Sequence, residues 1–322
     1  MTNTCVEFVQ ITPHMEGQRI DNFLLSHLKG VPRSLVYRIL RKGEVRVNRG
    51  RIKAHYRLKE GDEVRIPPVR RSETRVHKPS QSLTELLEAA ILFEDEQLII
   101  LNKPCGLAVH GGSGISHGLI EALRANRPDA PFLELVHRLD RDTSGCLMIA
   151  KRRSMLRTLH EMLRENAIHK RYLTLLQGSL QRNYYKVTRP LKKNTLASGE
   201  RMVRVDVNEG KSATSHFHLL EAKSLASLCK VEIETGRTHQ IRVHAQALHH
   251  PVAGDEKYGN DEFNKQMKTM GLKRMFLHAF QLEFHLKERD QHILVNAPLD
   301  ADLTNTLNSL GITAPQELTD EV

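Results

Sequence analysis

The sequence predicts a two-domain α+β protein, in which a small basic unit of helices and short strands precedes a larger unit of mixed strands and helices. Charge divides the chain: residues 1–80 contain 17 Lys and Arg against 8 Asp and Glu, whereas residues 81–322 contain 31 against 30. Hydrophobic periodicity changes along the chain between the helical and the strand repeat. Because one short segment holds nearly all the excess positive charge, we expect a polyanion-binding module joined to a domain with a different task.

Composition limits the class of protein. The 322 residues are 39% apolar and 27% charged, which is typical of a globular chain with a substantial core. No apolar run approaches the roughly 18 residues of a membrane span, and the first residues lack the pattern of a secretory signal. The four cysteines are scattered without a C-x-x-C pair, which favours reduced thiols. We therefore expect a cytoplasmic protein that does not contact membranes.

Residues 17–67 form the basic unit. Apolar residues at helical spacing predict one helix near 20–28 and a second after Pro32, with Gly43 as its end. Alternating segments at 44–48 and 62–66 predict short strands. The stretch RIDNFLLSHLKGVPRSLVYRILRKGEVRVNRGRIKAHYRLKEGDEVRIP resembles an S4 domain, a small RNA-binding module. The expected RNA-backbone contacts are the cations of the second helix and the strands after it: Arg33, Arg38, Arg41, Lys42, Arg46, Arg49, Arg51 and Lys53.

The remainder divides into three parts by pattern. Residues 68–88 are interpreted as a basic linker that ends in a short helix near Leu83–Leu87. Residues 89–302 mix strands and helices, including a strand pair around the acidic turn at 94–96, an amphipathic helix over 155–163 and a late strand from 275. Thr238 is a candidate cap for a helix that contains Ile241 and Ala245. Residues 303–322 are expected to form a C-terminal helix and an acidic tail.

A charged loop, His137-Arg138-Leu139-Asp140-Arg141-Asp142-Thr143-Ser144-Gly145, lies between two apolar runs of strand length. Unpaired charges do not stay buried, so this loop either pairs internally or faces a ligand. The glycine-rich stretch at 110–114 matches neither of the common phosphate-binding fingerprints, and a plain turn is the simpler interpretation.

Asp140 in this loop, Tyr172 at the start of a strand and Arg237 at a strand-to-helix turn are the candidates for chemistry. A carboxylate can act as a nucleophile or an acid–base group, and a facing guanidinium keeps it ionised. A tyrosine adds a flat face for stacking and a hydroxyl that can move a proton. Spacing alone does not establish that the three meet in space.

Five segments in order resemble the RluA family of pseudouridine synthases: NKPCGLAVH, HRLDRDTSG, KRYLTLLQG, TGRTHQIRVHAQALHHPVAGDEKYG and RMFLHAFQLEF. The resemblance implies a catalytic domain with a long, mainly antiparallel mixed sheet, flanking helices and an active-site cleft. It also implies conversion of uridines in 23S ribosomal RNA, free or in the assembling large subunit, by a monomer without cofactor or metal. Enzymes that act on a base take it out of the stack, so a flipped-out nucleotide is expected.

The resemblance also implies roles for individual residues. Asp140 matches the catalytic aspartate, and Tyr172 matches the tyrosine that stacks on uracil and is thought to act as a base. Arg237 matches the cation that pairs with the aspartate. Leu277 matches the apolar residue beneath the base, and Arg138 would help hold the flipped nucleotide. Whether Asp140 attacks covalently or starts an elimination stays open.

Three other functions share features with this sequence. The histidine pairs 216/218 and 249/250 suggest a metal-dependent hydrolase. The sequence contains neither the H-E-x-x-H motif nor a cysteine cluster that would support this function. His-Arg-x-Asp superficially suggests phosphoryl transfer, without the downstream asparagine of kinases. The serious alternative is a non-catalytic RNA-binding factor in ribosome assembly.

Overall fold

The computed structural model describes residues 5–28, 30–69, 80–111, 118–195 and 201–318. The chain divides into two compact units, Met1–Lys78 and Pro79–Val322. Four basic residues of the predicted linker (Arg70, Arg71, Arg75 and Lys78) and most of the glycine-rich stretch lie outside the described residues. None of the described helices is long and apolar enough to cross a membrane.

The first unit packs two helices on a four-stranded sheet of order β1-β4-β2-β3. Its elements are β1 (Glu7–Gln10), α1 (Ile20–His27), α2 (Arg33–Lys42), β2 (Arg46–Val47), β3 (Gly50–Arg51) and β4 (Glu63–Ile66). The apolar faces of both helices and β4 form one core that includes Ile20, Leu24, Val36 and Val64. This confirms the helices and strands predicted from periodicity.

Gly43 ends α2 as predicted. It adopts φ +70°, and its N–H bonds to the carbonyls of Ile39 and Leu40. A Cβ at this position would meet the Arg51 side chain at 2.5 Å. The chain therefore turns directly from α2 into the β2–β3 hairpin, whose tip residues Asn48 and Arg49 both have positive φ.

The second unit contains a ten-stranded sheet with helices on both faces. The helices are α3 (Gln81–Ala89), α4 (Leu119–Asn126), α5 (Arg153–Arg164), α6 (Gln240–Ala247), α7 (Asp261–Thr269) and α8 (Ala301–Ser309). The first strands are β5 (Ile91–Glu94), β6 (Leu98–Lys103), β7 (Glu134–Leu135), β8 (Ser144–Ala150), β9 (Ile168–Gln177) and β10 (Tyr184–Thr188). They are followed by β11 (Leu191–Thr195), β12 (Arg201–Val205), β13 (Thr214–Ala222), β14 (Ala226–Ile233), β15 (Leu277–Leu286) and β16 (Gln291–Asn296).

The main path of this sheet runs β10-β13-β14-β9-β15-β8-β6-β5, while β16 pairs with β15 and β7 with β8; β11 and β12 form a separate pair. Within the described sheet β15 and β8 pair in parallel, and the other pairings are antiparallel. The predicted α+β class and mainly antiparallel mixed sheet are confirmed.

The central strands are buried on both faces, which explains their uninterrupted apolar runs. Along β9, Tyr172 and Leu176 belong to the core beneath α4 and α6, whereas Leu173 and Leu175 belong to the core beneath α7 and α8. The pocket described below opens on the Tyr172 face.

Candidate active site

Gly145 holds the charged loop against the sheet. It is the second residue of the fully buried β8 and has φ +106°, and a Cβ there would lie 2.2 Å from the carbonyl oxygen of Ala279 on β15. Glycine thus permits the close parallel approach of β8 and β15. That approach brings the loop beside the first residue of β15, Leu277.

A buried lysine fixes the other side of the loop. The Nζ of Lys103, at the end of β6, donates to the carbonyls of Pro104 (2.8 Å), Leu107 (2.8 Å) and Arg141 (2.9 Å). Burial lowers the pKa of Lys103 to about 8. Since three carbonyls occupy its three protons, this lysine anchors the loop backbone and is not a free base.

His137 opens the loop as a neutral acceptor. The Met148 N–H donates to its Nε2 at 3.1 Å, and burial lowers the pKa of His137 to about 3. Asp140 closes the turn by accepting the Thr143 N–H through its carbonyl at 3.2 Å. Hydrogen bonds therefore fix the first residue of the charged loop and the turn from Asp140 to Thr143 within it, and Asp140 lines the pocket.

The pocket encloses about 510 Å³ of empty space, including solvent at its mouth. The five residues singled out by sequence for the catalytic unit all line it: Arg138, Asp140, Tyr172, Arg237 and Leu277. They come from the charged loop, β9, the turn before α6 and the start of β15. The structure thus brings together residues that are up to 139 positions apart in the sequence.

The cation that faces Asp140 is Arg242 and not Arg237, which corrects the predicted pairing. Arg242 Nη1 lies 3.8 Å from Asp140 Oδ2. Arg237 instead donates its Nε to the Ser212 carbonyl at 3.2 Å and is exposed. In the part of the chain that the structure describes, the basic groups within 4.0 Å of the Asp140 carboxylate are Arg242 and His239.

Arg242 is held rigidly. Its Nε and Nη2 donate to the two oxygens of Asp255, both at 2.7 Å, and its guanidinium carbon lies 4.9 Å from the centre of the Tyr258 ring. Burial pushes the pKa of Asp255 upward, but the Arg242 hydrogen bonds and charge outweigh it and hold that pKa below its ordinary value. Asp255 therefore stays ionised and fixes the cation that faces Asp140.

His239 forms the second contact with Asp140. Its Nε2 lies 3.7 Å from Asp140 Oδ2, and its Nδ1 lies 2.8 Å from the Tyr258 hydroxyl. Since the Val203 N–H donates to that hydroxyl oxygen, the hydroxyl proton is free to go to Nδ1. Burial lowers the pKa of His239, which favours a neutral ring with its Nε2–H towards the carboxylate.

The turn before α6 is organised differently from the prediction. Thr238 does not cap the helix; His239 is the N-cap residue, at φ +54° and without a side-chain cap bond. The turn is instead held by the Gln240 side chain, which accepts hydrogen bonds from the Arg237 N–H at 3.1 Å and the Thr235 hydroxyl at 2.7 Å. A buried glutamine thus closes this turn, because its long side chain reaches back over residues 235–237.

Tyr172 and Leu277 supply the apolar surfaces of the pocket. Both are buried, at 7% and 4% exposure. Burial and the nearby Asp140 charge raise the pKa of Tyr172, so its phenol keeps its proton in the free protein. In the described structure no hydrogen bond occupies this hydroxyl, which leaves it available to a ligand.

Sequence reasoning missed Arg242, His239, Asp255 and Tyr258. All four lie in the segment TGRTHQIRVHAQALHHPVAGDEKYG, which resembles the family. Because every residue of α6 from Gln240 to Ala245 is buried, the helix has no separate polar face that would have singled out Arg242. A useful signal was present: an arginine among buried helical residues needs a carboxylate partner, and Asp255 follows 13 positions later.

No group of three or more His, Cys, Asp or Glu among the described residues could hold a metal ion. His216, a member of the first histidine pair, forms hydrogen bonds with the Tyr184 hydroxyl at 2.6 Å and with Glu234 at 2.7 Å.

The fold and this pocket agree with the comparisons to known proteins. The chain belongs to the RNA pseudouridylate synthase family, whose sequence profile matches residues 97–247, and an S4 domain profile matches residues 18–64. This confirms both resemblances and makes the protein an isomerase. Ribosomal large subunit pseudouridine synthase C of Pasteurella multocida is 54% identical over 315 residues, covering 96% of this chain and 95% of that protein. The protein of the same name from Escherichia coli K12 is 53% identical over 309 residues, covering 95% and 97%.

Two solved structures share the fold. Human RNA Pseudouridylate Synthase Domain Containing 4 aligns with a TM-score of 0.61 at 23% identity, covering 73% of this chain and 98% of that one. Human RNA Pseudouridylate Synthase Domain Containing 1 aligns with a TM-score of 0.55 at 24% identity, covering 75% and 100%.

Proposed function

We propose that this protein converts uridines of 23S ribosomal RNA to pseudouridine in the cytoplasm, with Asp140 as the catalytic aspartate. The observation that carries the proposal is the Asp140 carboxylate in a partly closed pocket, beside a fixed guanidinium and a buried tyrosine ring. The two near-full-length relatives named for the large ribosomal subunit support the substrate.

The reaction exchanges one bond at the sugar for another. The C1′–N1 bond breaks, the uracil turns, C1′ bonds to C5, and the C5 proton leaves while N1 gains a proton. Asp140 suits the sugar side of this exchange, since no hydrogen bond to its carboxylate oxygens is present among the described residues and its lone pairs remain available. At 3.8 Å, Arg242 stabilises the negative charge without a direct hydrogen bond to it.

Tyr172 and Leu277 suit the two faces of the uracil. The ring of Tyr172 offers stacking, and Leu277 offers an apolar floor. The raised pKa of Tyr172 means that the free enzyme presents a phenol. Asp140 contributes to that rise, so neutralisation of its charge during the reaction would lower the pKa of Tyr172. The phenol could then give its own proton to N1, and the resulting phenolate could accept the proton that leaves C5.

Arg237 and Arg138 suit the rim of the pocket. Both are exposed cations beside Asp140, where an RNA phosphate can approach. We assign them to binding of the flipped nucleotide, and we assign the charge stabilisation of Asp140 to Arg242.

Tritium release from rRNA labelled with 5-[³H]uridine tests the proposal. Wild type is expected to release tritium, and the near-isosteric Asp140→Asn variant is expected to lose release while retaining RNA binding. Asp142→Asn is the matched control, because that neighbouring carboxylate is paired with Arg141 and does not line the pocket. Binding without release by wild type would leave only the assembly-factor function.

A further inference from the structure

The exposed face of α2 carries an aromatic ring in a row of cations. Tyr37 is 39% exposed, with Arg33 four positions before it and Arg41 four positions after it. Side chains at this spacing are neighbours along one helix face. Arg38 is also exposed on this helix, and α2 contains no acidic residue.

A buried carboxylate fixes the edge of this ring. The Tyr37 hydroxyl donates to Asp21 Oδ2 at 3.0 Å, and Asp21 is 1% exposed. Arg19 donates to the same carboxylate through Nε (3.1 Å) and Nη2 (2.7 Å), and the Asn22 N–H donates at 2.9 Å. Burial favours protonation of Asp21, yet the hydrogen bonds from Arg19 and Tyr37 hold its pKa below its ordinary value. The hydroxyl is therefore engaged by a buried carboxylate, and this bond orients the ring of the partly exposed Tyr37.

The structural role of Tyr37 rests on its hydroxyl, which helps to satisfy the buried Asp21 carboxylate, and not on its ring. The core of the first unit contains Val36, Ile39 and Leu40 of α2, and Tyr37 lies outside that cluster. Because 39% of Tyr37 is exposed, part of its surface forgoes the stabilisation that full burial would give. The carboxylate that orients it is neutralised by Arg19, so no uncompensated negative charge opposes a polyanion at this face.

We propose that Tyr37 is a stacking platform for an unpaired base of the RNA substrate, with Arg33 and Arg41 on the phosphates to either side. Single-stranded RNA is recognised by aromatic rings that stack on bases and by cations along the backbone. A continuous duplex hides the faces of its bases, so the ring selects a loop or bulge. An acidic protein partner would use the cations but gives the ring no function. The inference rests on the proposed function, since it specifies how that RNA is held.

The absence of tryptophan from the sequence makes a direct test possible. Tyr37→Trp in the full-length protein introduces a unique fluorophore at the platform. Its fluorescence is expected to be quenched by a single-stranded 23S rRNA fragment and to be insensitive to a fully paired RNA of equal length. Equal quenching by both RNAs, or quenching by polyglutamate but not by RNA, would overturn the proposal.

Steady-state kinetics separates stacking from charge. Tyr37→Ala is expected to raise KM for rRNA about 5- to 150-fold, the range that corresponds to loss of one base–aromatic stack. The rate at saturating RNA and the slope of log KM against log salt should stay unchanged. Arg38→Ala, the neighbouring control, should also raise KM but reduce that slope by about 1.

Tyr37→Phe keeps the ring without its hydroxyl and should raise KM less than Tyr37→Ala. An unchanged KM for folded Tyr37→Ala, checked by circular dichroism, would refute the platform. Failure of wild type to release tritium would instead refute the proposed function alone, because the quenching of Tyr37→Trp reports binding without turnover.

Discussion

At the scale of single residues, the groups that face Asp140, the proposed catalytic aspartate, are themselves held in place by buried side chains. Asp255 positions Arg242 through two hydrogen bonds, and Tyr258 positions His239. Each positioning side chain is buried, so its geometry is determined by packing before RNA arrives. This preorganisation distinguishes Arg242 from Arg237, whose exposed guanidinium has a single carbonyl partner at Ser212 among the described residues.

Lysine substitutions at these two arginines should therefore differ. Arg242→Lys keeps the positive charge but cannot bond Asp255 in a bidentate manner and reach Asp140 as well. We expect the single-turnover rate of tritium release to fall about 100-fold or more, as for loss of a preorganised charge-stabilising group. Arg237→Lys should mainly raise KM. Equal rate losses in the two variants would contradict the assignment.

The buried His278 is expected to make the stability of the second unit depend on pH. His278 accepts from Ser144 at 2.7 Å and donates to the Ala297 carbonyl at 3.0 Å, and burial lowers its pKa to about 4. An unfolded histidine titrates near about 6.5. Because the unfolded state then binds more protons, the contribution of His278 to stability is complete above this value and is lost as the pH falls from about 6.5 towards 4.

We expect His278 alone to remove about 2 kcal/mol of unfolding free energy between pH 7.5 and pH 5. Urea denaturation at the two pH values measures this difference, and His278→Gln should reduce it by that amount. The same substitution at the exposed His285 is the matched control. A pH dependence that is unchanged in His278→Gln would show that this histidine is not held neutral.

At the scale of elements, the parallel contact of β8 with β15 positions the charged loop. The contact pairs Ser144 with His278 and Gly145 with Ala279, directly beside the pocket floor at Leu277. Lys103 fixes the same loop from the end of β6. The two neighbours of β8 in the sheet, β15 and β6, thus determine where Asp140 lies.

Gly145→Ala should disrupt this contact. Its Cβ would overlap the Ala279 carbonyl and its φ of +106° is unfavourable for alanine, so we expect a loss of about 3 kcal/mol or more of unfolding free energy. Gly236→Ala is the control, because no atom lies within 4 Å of its Cβ position, and it should change stability by less than about 0.5 kcal/mol. Chemical denaturation measures both. Similar stabilities for the two variants would refute the role of Gly145.

At the scale of the whole molecule, the basic and nearly neutral parts of the sequence correspond to two units with separate cores. The eight cations predicted to contact RNA are all exposed on the first unit. Four lie on α2, and the rest lie on or beside the β2–β3 hairpin. We therefore expect the first unit to supply the sequence-independent part of RNA binding.

Removal of residues 1–78 should weaken rRNA binding and flatten its salt dependence. For every phosphate that the truncated protein no longer neutralises, the slope of log K against log salt should fall by about 0.7 to 0.9. Filter binding at several salt concentrations measures the slope, and circular dichroism of the truncated protein checks that the second unit is folded. An unchanged slope would place the main RNA-binding surface on the second unit.

Sequence alone determined the class of fold, the charge division and the segments that carry the site, because periodicity, turn residues and charge are local properties of the chain. It identified Asp140, Tyr172 and Leu277 as pocket residues through short motifs. Only the tertiary structure decided that Arg242 faces Asp140, at a separation of 102 positions in the chain. Such a pairing depends on how β8, β9 and α6 pack together, and neither residue carries that information in its own neighbourhood.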